Sequence, residues 1–180
     1  MREFATIEGF LKHLQTLHDA VVRAAPTGLE AASALVEQEA KASIGHYQEA
    51  TGPFNAWVPL SGATLDGFVH ADGFDIPGKI ELGYAAPGED NPLLRDGTLR
   101  DSYKHTVQGL EAATGSEEEN AVWQELGTPN ALYPIPPRSI LGGATSRNKD
   151  EIVDMMLSPV VRALAGLPPR NRPKAEAEFT

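Results

Sequence analysis

The stretch from residue 51 to residue 93 limits most strongly what this chain can fold into. Glycines at 52, 62, 67, 73, 78, 83 and 88 alternate with prolines at 53, 59, 77, 87 and 92. Each proline removes a backbone donor and fixes its own φ, and each glycine raises the entropic cost of regular structure. Neither a long helix nor a wide sheet can pass through such a segment. Phe68-Val69-His70 and Lys79-Ile80-Glu81-Leu82 are short strand-like runs within it. The segment reads as a projecting loop or loose hairpin, anchored at its start by Trp57, Val58 and Leu60. A loop this long inside a domain is commonly functional or disordered.

The core must therefore come from the flanks. On the N-terminal side, Phe4, Ile7, Phe10, Leu11, Leu14, Leu17, Val21 and Val22 recur in steps of three and four, one face of an amphipathic helix. Pro26-Thr27-Gly28 predicts a break. A second, alanine-rich helix is expected from 29 to about 50, with Leu29, Ala32, Val36, Ala40, Ile44 and Tyr47 as its stripe, stopped by Thr51-Gly52-Pro53.

On the C-terminal side, Asp96-Gly97 forms a turn, and Thr98 with Asp101 resembles a capping pair. Tyr103, His105 and Val107 alternate with Lys104 and Thr106 as a half-buried strand, reversed at Gly109, with residues 110–114 as antiparallel partner. Ser116 and Glu119 spell a capping box, and Glu117 and Glu118 suit the helix dipole. That helix is expected to bury Val122 and Leu126 and to stop at Gly127. Residues 133–138, Tyr-Pro-Ile-Pro-Pro-Arg, must be extended. Ile140 and Leu141 read as a third strand. A last helix begins near Ser146, with Ile152, Met155, Met156 and Val160 toward the core, a kink or restart at Ser158-Pro159, and an end at Gly166.

The fold expected is α+β. A small antiparallel sheet of three or four strands packs against N-terminal and C-terminal helices, with the Gly/Pro-rich segment 51–93 projecting. Residues 1–166 form a single domain, followed by a proline-rich tail, 167–180, with little to bury and mobile on its own. At 180 residues such a domain has a core large enough to need no staples.

Fifteen Lys and Arg stand against 25 Asp and Glu, a formal charge of −10. That balance opposes tight non-specific binding to nucleic acid. It is compatible with a passage through which DNA slides without sticking. Absence of cysteine excludes disulfides and thiolate metal sites and suits a reducing cytoplasm. No apolar run reaches the roughly 18 residues of a membrane span, and Met1-Arg2-Glu3 does not open a signal peptide, so a soluble protein with no Sec-type export signal is expected.

Little in the chain reads as catalysis. His13 and His18 lie five apart, on different helix faces, and no histidine pair has metal-ligand spacing. His70, Asp72 and Asp75 are close enough in sequence to hold a hard cation, but they miss the calcium-loop spacing and sit among turn residues. No serine has a nucleophile motif around it, and no glycine pattern forms a phosphate loop. No catalytic residue, metal site or cofactor is assigned. Trp57, Trp123, Tyr133 and the arm Pro136-Pro137-Arg138 fit contact roles better. Trp123 directly follows Val122, so the two cannot share one helix face, and a proline-fixed arm loses little entropy when it docks.

The order of the motifs carries a resemblance. Trp57, Pro59 and Leu60 precede Pro92, Leu93 and Leu94; then come Gly97, Leu99, Arg100 and Ser102; then Glu125, Leu126 and Gly127; then Pro136, Pro137, Arg138, Ile140 and Leu141. This series resembles the neck and tail-completion proteins of long-tailed bacteriophages, the group that includes the Mu-like virion morphogenesis proteins. Ser139-Ile140 departs from that pattern, where an aromatic is common, and the segment 61–90 is longer than usual.

The resemblance implies a structural part of the head–tail joint, not an enzyme. It implies a hexameric ring around the DNA channel, in contact with head-closure, tail-terminator or tail-tube proteins, in a virion assembled in the host cytoplasm. DNA would pass through without specific binding and no membrane would be involved. Six such copies bring a formal charge on the order of −60 to the channel if most of it faces inward. The candidate subunit contacts are Trp57, Leu99, Arg100, Trp123, Gln124, Glu125, Tyr133, Pro136, Pro137 and Arg138. A tail terminator capping the tail tube is the alternative within the class. A small metal-dependent hydrolase using His70, Asp72 and Asp75, or an adaptor that binds its partners as a monomer, are alternatives of other classes.

Overall fold

A single uninterrupted helix frames the computed structural model, which describes residues 4–129 and 134–169. In chain order the elements are α1 (Ile7–Ser43), α2 (Gly62–Asp66), β1 (Gly67–Val69), β2 (Asp75–Pro77), α3 (Thr98–Ser102), β3 (Lys104–Gln108), β4 (Glu111–Gly115), α4 (Glu119–Leu126), α5 (Leu141–Arg147) and α6 (Lys149–Leu164). The class is α+β, as expected. The strands, however, form two separate antiparallel pairs, β1–β2 and β3–β4, not one sheet of three or four.

Thr6 opens α1 by accepting the Gly9 amide at 3.0 Å. The expected break at Pro26-Thr27-Gly28 does not occur, and the helix runs on for 37 residues, about 55 Å. Proline and glycine in a helix interior cost about 3 and 1 kcal/mol. Tertiary packing offsets this. Gly28 is buried where α6 crosses, and a β-carbon there would lie 2.6 Å from the Met156 carbonyl oxygen and 2.8 Å from that of Met155. The apparent breaker is the point of closest helix approach.

Leu17, Val21, Ala24 and Gly28 follow steps of four, three and four, a seam of coiled-coil type. From α6, Ile152, Met155, Pro159 and Ala163 are the half-buried positions facing it. The helices run antiparallel: Arg147, at the end of α5, donates from Nη2 to Ser43 Oγ at 2.8 Å, while Met155 and Met156 meet Gly28. Pro159 sits inside α6 without restarting it. Met156, expected in the core, is 39% exposed.

Residue Ile44 caps α1 well short of residue 50, because Gly45 turns away at φ +100° and donates its amide to the Pro92 carbonyl at 2.8 Å. That bond brings the end of the 51–93 segment back to the helix. Lys79 reinforces it, donating to the Asp90 and Asn91 carbonyls at 2.9 and 2.6 Å, and burial lowers its ammonium pKa. Asn91 and Leu93 are held at φ 45° and 62°, a conformation rare for a branched residue. Leu93, Leu94 and Leu99 then pack against the core of Ala40, Ile44, Trp57, Tyr103, Ala121 and Ile140.

Within the Gly/Pro segment, Ser61 caps α2, and β1 pairs with β2 in the register Phe68↔Ile76. The run at 79–82, expected as a strand, is turn, and 75–77 supplies the partner instead. The pair β3–β4 lies on α1 with His105↔Thr114 and a two-residue reversal at Gly109-Leu110, within one residue of the sequence expectation. At the start of α3 the N-cap is Gly97, which has no side chain to cap with, and the Asp96 Oδ1 accepts the Thr98 amide at 3.0 Å in the turn before it.

Gly28→Ala should lower stability by about 1–3 kcal/mol through overpacking, despite the roughly 1 kcal/mol that alanine adds to helix propensity. Urea unfolding measures this; a variant as stable as the parent would show that the helices do not approach as closely as described.

Candidate functional site

Part of the motif series, Trp57, Glu125, Gly127, Arg138 and Ile140, converges where α4 ends. Their centre is Glu125, on the inward face of α4 beside Ala121 and Gln124, while Val122 and Leu126 face outward at 56% and 70% exposure. This reverses the face expected from the sequence. The capping box also does not form. Ser116 Oγ accepts the Glu118 amide at 3.0 Å and bonds Ser102 Oγ at 2.6 Å, so its hydroxyl ties the end of β4 to α3, and α4 starts with Glu118 as its N-cap.

The Glu125 carboxylate accepts the backbone amides of Ile140, Leu141 and Gly142 at 2.6, 3.0 and 2.9 Å, and the hydroxyl of Ser139. Unpaired amides at a helix N-terminus are where a carboxylate gains most. Ile140 and Leu141 therefore open α5 instead of forming a third strand. A local sequence signal was present: Ser139 is followed by Gly142-Gly143-Ala144, small residues that do not support a strand.

Gly127 ends α4 at φ +73° and leaves room for the returning arm. A β-carbon there would lie 2.8 Å from the Ile135 carbonyl oxygen and 2.9 Å from the Pro137 nitrogen. The arm is held by Thr128 N–H to the Ile135 carbonyl at 2.9 Å, Ile135 N–H to Thr128 Oγ1 at 2.8 Å, and Arg138 N–H to the Gln124 carbonyl at 2.6 Å. Arg138 reaches across with Nη2 to the Val58 carbonyl at 3.0 Å, and the Trp57 indole N–H donates to the Ser139 carbonyl at 3.3 Å. Tyr47 completes the anchorage, its hydroxyl accepting the Leu60 amide and donating to Asp90.

The candidate contact residues thus separate into groups. Trp57 and Arg138 are buried within the chain, and burial pushes the guanidinium pKa down. A partner cannot reach either unless the arm moves. Leu99, Gln124, Glu125 and Pro136 are half-buried, whereas Arg100, Trp123 and Pro137 are exposed. Arg100 pairs with Asp101 at 2.8 Å. Tyr133 lies outside the described residues. Gln124 Oε1 and Arg138 Nε are buried atoms without a hydrogen-bond partner among the described residues.

An open groove of about 710 Å3 runs between α1, α3 and β3, with Glu37, Lys41, His46, Arg100, Asp101 and His105 along it. Its charges answer one another. His105 bonds Glu37 through Nδ1 at 2.5 Å and Glu30 through Nε2 at 3.1 Å, and its backbone amide also meets Glu37. These bonds, Glu37 first and Glu30 second, raise the imidazole pKa above its ordinary value. Burial alone would raise the Glu37 carboxyl; hydrogen bonds from Lys41 and His105 outweigh it and hold the group below the usual carboxylate range. The cluster clasps β3 to α1.

At the tip of the β1–β2 hairpin, His70 Nδ1 meets Asp72 Oδ1 at 2.8 Å, and the same oxygen accepts the Phe74 amide. Asp75 instead pairs with Val69 in the ladder. Among the described residues no group of three or more His, Asp or Glu is placed to hold a metal ion. None of the described helices is long and apolar enough to cross a membrane. The apolar outer face of α6 holds none of the motif residues, and residues 152–164 carry only Asp154 and Arg162 as charges.

No family model matches the chain, and no curated protein or solved structure matches it.

Glu125→Ala strands three amides at the start of α5 and should cost about 2–4 kcal/mol in unfolding experiments; a loss near zero would show that water replaces the carboxylate. The clasp should depend on pH in a definite sense. With its folded pKa raised, His105 contributes fully below about 6.5 and loses that contribution as pH rises through the higher folded value. His105→Gln should flatten the fall in stability on that alkaline side, as read by melting temperature across the pH series.

Proposed function

We propose that this chain is a structural component of the head–tail joint of a tailed phage or phage-like particle. It completes the tail as one subunit of a ring around the DNA channel, with six copies and with head-closure, tail-terminator or tail-tube proteins as neighbours. The observation that supports this reading best is the ordered motif series from Trp57 to Leu141. Its parts are distant in sequence, yet Trp57, Glu125, Gly127, Arg138 and Ile140 meet at one junction. A shared order of motifs is expected where such a junction has to be built the same way each time.

Charge supports the same reading. At −10 per copy, a lumen lined by this chain repels the backbone of passing DNA instead of binding it. On this view the neutral, clasped groove beside His105 holds the fold together, and partners meet the exposed Trp123, Pro137 and apolar helix faces. Localisation is then the virion, after assembly in the host cytoplasm.

Removing the protein and imaging the resulting particles by electron microscopy tests the proposal. Tails of normal length that fail to join filled heads are the expected result. Overlong tails would move the chain to the terminator position, and intact infectious particles would remove it from the joint altogether.

A further inference from the structure

Helix α6 is apolar on two opposite faces. Ile152, Met155, Pro159 and Ala163 turn toward α1. On the far side Val153, Leu157, Val161 and Leu164 are 45–60% exposed, a stripe about 17 Å long. A helix that is apolar all round belongs in an interior. This one has only half of an interior around it.

A second bare stripe lies at the start of α1. Ile7, Phe10 and Leu14 continue the seam positions Leu17, Val21, Ala24 and Gly28 that seat α6, but they lie beyond the end of α6 at Leu164. They are 80%, 44% and 44% exposed, with Leu11 beside them at 58%. The seam outruns its partner by two helical turns.

The chain's own C-terminal segment does not have the composition to cover either stripe, because Phe179 is the one large apolar residue in 170–180. A second copy fits. Pairing either stripe with its own equivalent would leave the other bare, whereas pairing one with the other covers both. The two stripes amount to on the order of 800 Å2 of apolar surface, which with a polar rim reaches the roughly 1,000 Å2 that a biological interface needs.

We infer that the first turns of α1 from one copy dock antiparallel on the outer face of α6 of the next copy. This rests on the ring-subunit reading and names its repeated contact. Because the two surfaces differ, the contact can repeat head to tail, and it closes into a ring when its rotation closes; a wild-type chain that stops at a reciprocal dimer overturns that arrangement. Each copy then contributes a third helix to its neighbour's α1–α6 pair.

Gel filtration with light scattering on the full chain is the test. The wild-type protein should run larger than a dimer. Ile7→Glu and Leu157→Glu, both at exposed positions, should each run at monomer mass with unchanged far-UV circular dichroism, and Leu11→Glu serves if Ile7→Glu loses helix. Mixed in equal amounts, an α1 variant and the α6 variant should form a dimer and nothing larger, since one keeps a working α6 face and the other a working α1 end. A mixture that stays monomeric, a wild-type chain that is monomeric at its highest soluble concentration, or a variant of unchanged mass overturns the contact. The two readings fail separately: dimerising mixtures with intact particles in the absence of the protein would keep the contact and end the head–tail assignment.

Discussion

One carboxylate organises the middle of this molecule. Glu125 could have been a solvated residue near the end of a short helix. Instead it neutralises the first turn of α5, and everything adjacent follows from that placement. With α5 started at Leu141, the arm before it must run antiparallel to the end of α4, and Gly127 is needed to let it by. Arg138 is then carried under the Val58 carbonyl, which fixes Trp57 against Ser139. A charge removed from water this way is stable because it is answered several times over. Arg138 is answered less completely, with one carbonyl on Nη2 and a buried Nε without a partner among the described residues.

Periodicity made some of the fold legible and hid the rest. The β3–β4 hairpin was readable because Tyr103, His105 and Val107 alternate with polar residues and Gly109 marks the reversal; local pattern and tertiary environment agree there. Pro26-Thr27-Gly28 misled because propensity measures a helix alone, whereas Gly28 lies on the backbone of α6. Ser116 misled for a related reason. Its hydroxyl had two possible partners, and Ser102, fourteen residues away, took part of its bonding. Ile140 and Leu141 look like strand residues until a carboxylate from another helix reaches their amides. Each difference comes from a long-range polar or steric contact that a sliding window does not contain.

The candidate contacts divide along the same line. Trp57, Arg138 and Glu125 were singled out because their order is distinctive, and the structure uses all three to hold the junction together. Trp123 was legible as an outlier, since it cannot share a face with Val122, yet both prove exposed because the inward face belongs to Ala121, Gln124 and Glu125. The outer face of α6 was hidden for the opposite reason. An apolar helix reads as core from sequence, and only packing reveals that one of its sides has nothing against it.

Pro26 remains in the interior of α1, and it has a mechanical consequence. Its ring nitrogen carries no hydrogen, so the Val22 carbonyl lacks the usual bond that stiffens a helix. This gap in the ladder lies inside the stretch that α6 covers, since Leu17, Val21 and Ala24 precede it and Gly28 follows. Helix α6 therefore splints the weak point from both sides, and a bend there would have to open the helix pair. A missing backbone bond is thereby made harmless by the neighbouring helix that lies across it.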